Sequence, residues 1–152
     1  MPASLRETGG GERVTAKEYL SQAYRLDQRI ERKLEDRDRM RAKLVKATAQ
    51  LTGMPRGSGT DWTDAAVRVM EYEQQIAAEI EELCRVKTEI RAVIDAVEDK
   101  RYRELLTARY LDQKRWEQIA VDMHYSYMQV HRLHKEALQS IRVPEEGNYG
   151  KA

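Results

Sequence analysis

The sequence predicts an all-α protein, and three observations carry that prediction. Charged residues make up 35% of the 152 positions, phenylalanine is absent, and only three prolines occur. Such a composition belongs to long helices rather than to sheets. Two long stretches place apolar residues in alternating steps of three and four, the period of a helix packed along one seam.

The first stretch starts at Thr15. Thr15-Ala16-Lys17-Glu18 has the form of a capping box, in which Thr15 and Glu18 each satisfy an orphan backbone N–H. No Gly or Pro follows until Leu51, so one uninterrupted helix is expected. Its seam is Ala23, Leu26, Ile30, Lys33, Arg37, Met40, Leu44, Ala47 and Leu51, with a polar interruption at Lys33 and Arg37. Gly53 and Pro55 then end the helix, Gly as a C-cap and Pro because it cannot continue one. The second helix, capped by Asp61 or Thr63, has the seam Val69, Glu73, Ile76, Ile80, Leu83, Lys87, Ile90, Ile94 and Val97.

The net charge of +1 conceals an asymmetry. Residues 15–51 hold 10 Lys/Arg against 6 Asp/Glu, residues 61–99 hold 4 against 11, and residues 100–142 hold 9 against 5. A basic helix followed by an acidic one of similar length suggests an antiparallel hairpin. Heptad seams also close between chains, so self-association through the N-terminal helices stays open at this level.

After Val97 the texture changes. Tyr102, Leu105, Leu106, Arg109 and Tyr110 recur at helical spacing, and Asp112-Gln-Lys-Arg115 forms a polar turn. Trp116 to His124 reads as a short helix. Ser126 is placed to N-cap a last helix, which runs to about Ile141 and stops before Pro144. Ile119, Ala120, Met123, Tyr125, Val130 and Leu133 can then share one small core. That is the pattern of a helix-turn-helix, with Ala120 as the small residue at the helix crossing. His124 stands in the turn, where positive φ is usual; His tolerates that region better than most residues. Such a motif lets its second helix enter the major groove of DNA. Tyr127, Met128, Gln129, His131 and Arg132 would face base edges, Gln suiting adenine and Arg guanine. Lys114, Arg115, Lys135 and Arg142 would contact phosphates, with Arg101 and Arg103 as further candidates. Six such contacts would give a log–log salt slope of about −5.

The run Arg103-Glu-Leu-Leu-Thr-Ala-Arg-Tyr-Leu-Asp-Gln-Lys-Arg-Trp-Glu-Gln-Ile-Ala120, then His124-Tyr-Ser and Val130-His-Arg-Leu-His-Lys-Glu-Ala-Leu138, resembles region 4 of bacterial sigma factors. That region reads the −35 promoter element with a helix-turn-helix. With the long helices in front, the whole chain is similar to small phage and prophage proteins of Gram-positive bacteria, regarded as activators of late genes. The resemblance implies an all-α fold, a long coiled-coil-like helical hairpin followed by a small sigma-region-4-like domain. It places Tyr127, Gln129, His131 and Arg132 on the DNA-reading helix. This chain departs from the pattern at His124, where the family has a turn glycine, and at Tyr127 and Gln129, where it has arginines. The family's DNA sequence preference therefore does not transfer.

Other chemistry finds little footing. His124, His131 and His134 are the only histidines, and no paired Cys or HExxH completes a metal site. Glu81-Glu82 reads as a solvated helix face, and Gly53-Met-Pro-Arg-Gly-Ser-Gly59 lacks the lysine and strand of a phosphate loop. Met40, Met70, Met123 and Met128 are isolated. Cys84 stands alone, so no internal disulfide is expected. No run of 18 apolar residues exists, and the N-terminus lacks the apolar segment of a secretory signal.

The expectation is thus a non-enzymatic protein without cofactor or metal, cytoplasmic and nucleoid-associated in a bacterial host. Residues 1–14 would be disordered, 15–97 the hairpin with a linker at 52–60, 98–142 the DNA-binding domain, and 143–152 a flexible tail. Its partners would be double-stranded DNA, host RNA polymerase and further copies of itself through the N-terminal helices, with no membrane. A small-terminase-like packaging adaptor and a structural coiled-coil protein are the alternatives.

Overall fold

A computed structural model of the chain describes residues 14–51 and 59–144, and among these it is all helical. The expected C-cap Gly53 and the stop at Pro55 lie outside the described residues. So do most of the two expected loose ends, but Val14 and Val143 are described and pack half-buried against the core.

The capping box forms as read. Thr15 Oγ1 accepts from Glu18 N at 3.1 Å, and Glu18 Oε2 accepts from Thr15 N at 3.1 Å. It opens a short helix, α1 (Ala16–Leu20), which is separated by Ser21 from the long α2 (Gln22–Leu51). The expected single helix is therefore broken once. Gln22 caps the break, its Nε2 donating to Tyr19 O at 2.9 Å. The next helix, α3, runs Gly59–Asp95, so Asp61 and Thr63 lie inside it rather than capping it.

Helices α2 and α3 pack along most of their lengths. The contacts fix them antiparallel. Lys33 meets Glu79, Asp36 meets Tyr72, and Thr48 meets Trp62, so positions descend on one helix as they climb on the other. Leu51 aside, whose side chain lies outside the described residues, the predicted seams hold with two changes. Ile80 is exposed, and Val86 is buried in the seam instead. Glu79 takes the inward position, bonded to Lys33 at 2.9 Å and close to Arg29 at 3.7 Å.

The base of the hairpin and the C-terminal helices share one core. Tyr19, Leu20, Ile90, Ile94, Leu105, Leu106, Ile119 and Val130 are its largest fully buried side chains. The boundary expected near residue 97 is therefore a change of direction, not a break in packing. Asp99 N-caps α4 (Lys100–Leu106), accepting from Arg101 N at 2.8 Å. Arg103 donates to Val97 O at 2.6 Å and Glu98 O at 2.8 Å, satisfying carbonyls at the end of α3.

Residues Thr107–Leu111 continue α4 as a π-helical turn, with Asp112 N bonded to Thr107 O at 2.9 Å. The pattern of burial gives the reason. Leu105, Leu106, Tyr110 and Leu111 are all buried, two adjacent pairs five residues apart. An α-helix rotates such pairs apart, while one extra residue per turn brings them to the same side. Gln113, at φ 57°, then turns the chain toward α5 (Trp116–Met123), which α6 (Tyr127–Gln139) follows.

Candidate nucleic-acid interface

The turn between α5 and α6 is a Schellman motif. His124 adopts φ 61° and ψ 38°, Tyr125 N donates to Ala120 O at 2.9 Å, and His124 N to Val121 O at 3.2 Å. The left-handed position expected of His124 is thus occupied by it. Ser126 then caps α6, its Oγ accepting from Gln129 N at 3.1 Å. Together these residues end α5 and start α6 within three positions.

Of the six expected core residues, Ile119, Ala120, Val130 and Leu133 are buried, while Met123 and Tyr125 are half-buried against them. The outer face of the pair carries Tyr127, 51% exposed, Met128, 75% exposed, and the exposed Gln129, Arg132 and Lys135. Val121, 66% exposed, adds an apolar side chain on α5. Arg132 and Lys135 meet no carboxylate among the described residues.

Two expected readers are differently engaged. Gln129 returns a hydrogen bond to its own cap, with Oε1 accepting from Ser126 N at 2.8 Å, which leaves its Nε2 as the outward donor. His131 does not face outward as expected. Its ring lies half-buried between Trp116, at 4.9 Å, and Tyr127, at 4.4 Å, and its Nε2 is buried without a hydrogen-bond partner in the described structure. The helical wheel places position 131 at the edge of the core face, and the large Trp116 ring reaches it there.

His134 lies deeper. Burial, aided by the charges of Lys17, His131 and Arg109, pushes its pKa down to about 4. Burial also pushes the Tyr110 phenol up to about 12. Both groups are therefore neutral near pH 7, and the phenol oxygen and His134 Nε2 share a hydrogen bond of 2.6 Å whose direction follows the imidazole tautomer. Trp116 meets the same imidazole edge-on at 4.6 Å, and the Arg109 guanidinium covers the indole at 4.5 Å. This stack locks α6 against the π-helical turn.

The expected phosphate contacts divide into two groups. Lys114 is held by Asp122 at 2.9 Å, and Gln118 supports the same carboxylate at 2.8 Å. Those two partners hold Asp122 below the usual carboxylate range, the lysine bond first. Arg101 pairs with Asp99 at 2.9 Å, and Arg103 is turned inward to α3. Arg115, Lys135 and Arg142 are exposed and meet no carboxylate among the described residues.

A second cluster was not foreseen. Lys17 of α1, Arg109 of the π-helical turn and Arg115 line one cleft, about 350 Å³ in volume, together with Tyr24, Gln113 and Trp116. Nothing in the local sequence joins Lys17 to Arg115; only the docking of α1 on the C-terminal helices does so. Among the described residues no group of three or more His, Cys, Asp or Glu is placed to hold a metal ion. None of the described helices is long and apolar enough to cross a membrane.

Fold and surface together define an all-α protein whose helical hairpin carries a helix-turn-helix-shaped end. The chain belongs to the family described as a protein of unknown function, DUF1492, whose model matches residues 50–142. The match covers α3 and all the C-terminal helices. No curated protein and no solved structure matches the chain.

Proposed function

We propose that this chain is a non-catalytic, sequence-specific double-stranded DNA-binding protein that regulates transcription. One observation carries the reading: a Schellman turn and a capped helix leave the first turns of α6 projecting outward with Tyr127, Met128, Gln129 and Arg132 on its free face. A helix so presented fits the major groove, where Arg suits guanine, an amide donor suits acceptor edges, and apolar side chains suit thymine methyls. Arg115, Lys135 and Arg142 are the cations free to meet phosphates. The resemblance of residues 103–138 to sigma region 4 extends the proposal to activation of phage or prophage genes with host RNA polymerase. The hairpin would then recruit a partner or a further copy of the chain.

Selection of bound fragments from the source genome at about 150 mM salt, followed by footprinting, tests the reading. One protected site upstream of a gene block is the expected result. Binding that is uniform over all duplexes and disappears with salt would overturn sequence-specific recognition, because phosphate contacts alone produce that behaviour. With Arg115, Lys135 and Arg142 as the phosphate contacts in place of six, the salt slope should lie nearer −3 than −5.

A further inference from the structure

The cleft between α1 and the start of α5 has a chemistry of its own. Lys17, Arg109 and Arg115 line it, and no Asp or Glu does. None of the three forms an ion pair among the described residues. Arg109 is oriented by the Trp116 ring and by its bond to Lys114 O at 3.0 Å. Lys17 projects from a helix whose own capping box and buried Tyr19 and Leu20 hold it in place. Arg115 occupies the N-cap of α5 without a side-chain cap bond, so the first amides of that helix lack a side-chain acceptor. Converging cations beside uncapped amides favour a compact, multiply charged anion. The cleft adjoins the face proposed to meet DNA, on the helix that crosses the backbone in such motifs.

We propose that this cleft is a phosphate site and that it holds a backbone phosphate beside the sequence read by α6. The hairpin would thereby enter the DNA contact through Lys17. The source of the phosphate, though not the site, rests on the DNA-binding reading above.

Two measurements on the full chain test this, with Lys17→Ala as the variant, since Lys17 is exposed and outside the core. With a selected duplex, the log–log salt slope should shrink by about 0.9 in Lys17→Ala, stay unchanged in Lys17→Arg, and leave base preference intact. In a Trp62→Tyr background, Trp116 is the only indole, and its emission should respond saturably to pyrophosphate. Lys17→Ala should weaken that response several-fold. An unchanged slope together with an unresponsive Trp116 overturns the proposal while the DNA reading stands. A pyrophosphate response without any effect on duplex binding keeps the site but rejects the backbone as its source. A chain that binds pyrophosphate and no duplex refutes the DNA reading alone.

Discussion

The two ends of the hairpin are built from the same heptad pattern and are held by different forces. At the base, Ala23, Leu26, Ile30, Leu83, Val86, Ile90 and Ile94 merge with the C-terminal helices into one apolar core. Toward the tip, around the buried Val69 and Ile76, the helices also meet through Lys33 and Glu79, Asp36 and Tyr72, and Arg41 and Glu73, while Met40, Leu44 and Ala47 are only half-buried. Apolar burial stabilises at roughly 25 cal/mol per Å², whereas ion pairs at or near the surface contribute about 0–1 kcal/mol each. The base is therefore the scaffold. The tip, with less apolar burial, relies more on the polar contacts that keep its register.

The sharpest way to break this contrast is to delete matched methylenes at the two ends. Ile94→Ala should cost about 2–5 kcal/mol in a denaturant titration, because its surroundings cannot collapse around the cavity. Leu44→Ala should cost well under half as much. Equal losses would mean that the tip is as tightly packed as the base.

A smaller effect separates recognition from scaffold. Arg132→Ala should weaken binding to a selected duplex by about 1–3 kcal/mol and relax preference at one base pair, with helicity unchanged. Charge swaps at the tip, such as Arg41→Glu, should leave that affinity alone. If the tip variants lose DNA and Arg132→Ala does not, the interface has been assigned to the wrong end.

A single titrating group comes next. His134 has a pKa of about 4 in the folded chain, below its ordinary 6.5. Between those values the unfolded chain binds the extra proton, so the neutral, buried imidazole contributes stability that is complete above pH 6.5. It is lost as pH falls toward 4. Denaturant midpoints across that window should fall less steeply for His134→Gln than for the wild type. Identical slopes would show that the base does not bury this group.

The turn offers the next test. His124 in the left-handed region costs about 1–2 kcal/mol relative to a residue without Cβ, so His124→Gly should stabilise by about 0.5–1 kcal/mol once glycine's extra chain entropy is counted. A destabilised variant would show that His124 makes a contact worth more than its backbone cost. An effect of the same size belongs to the tip: a double-mutant cycle on Lys33 and Glu79 should return a coupling of about 0.5–1 kcal/mol that shrinks in high salt.

Much of this fold was legible in the sequence because it depends on neighbours within a turn or two. The Thr15 capping box, the Ser126 cap, the positive φ at His124 and the buried Ile119, Ala120, Val130 and Leu133 follow from local hydrogen bonding and a period of 3.6. The candidate interface was half legible. The exposed positions of Tyr127, Met128 and Arg132 follow from the same period. The occupation of Gln129 by its own cap is written in Ser126-x-x-Gln129, which is a capping box in its own right.

What the sequence by itself determined, then, is the helical class, the seams, the caps and the face of α6. Only the tertiary structure decided the rest. The π-helical turn arises because Leu105, Leu106, Tyr110 and Leu111 must all reach one core. His131 is drawn inward by Trp116, fifteen positions earlier in the chain. Lys114 spends its charge on Asp122 of the next helix, and Lys17 comes to stand beside Arg115 across 98 positions. Periodicity specifies direction from a helix axis, but the object lying in that direction is set by packing between segments distant in sequence.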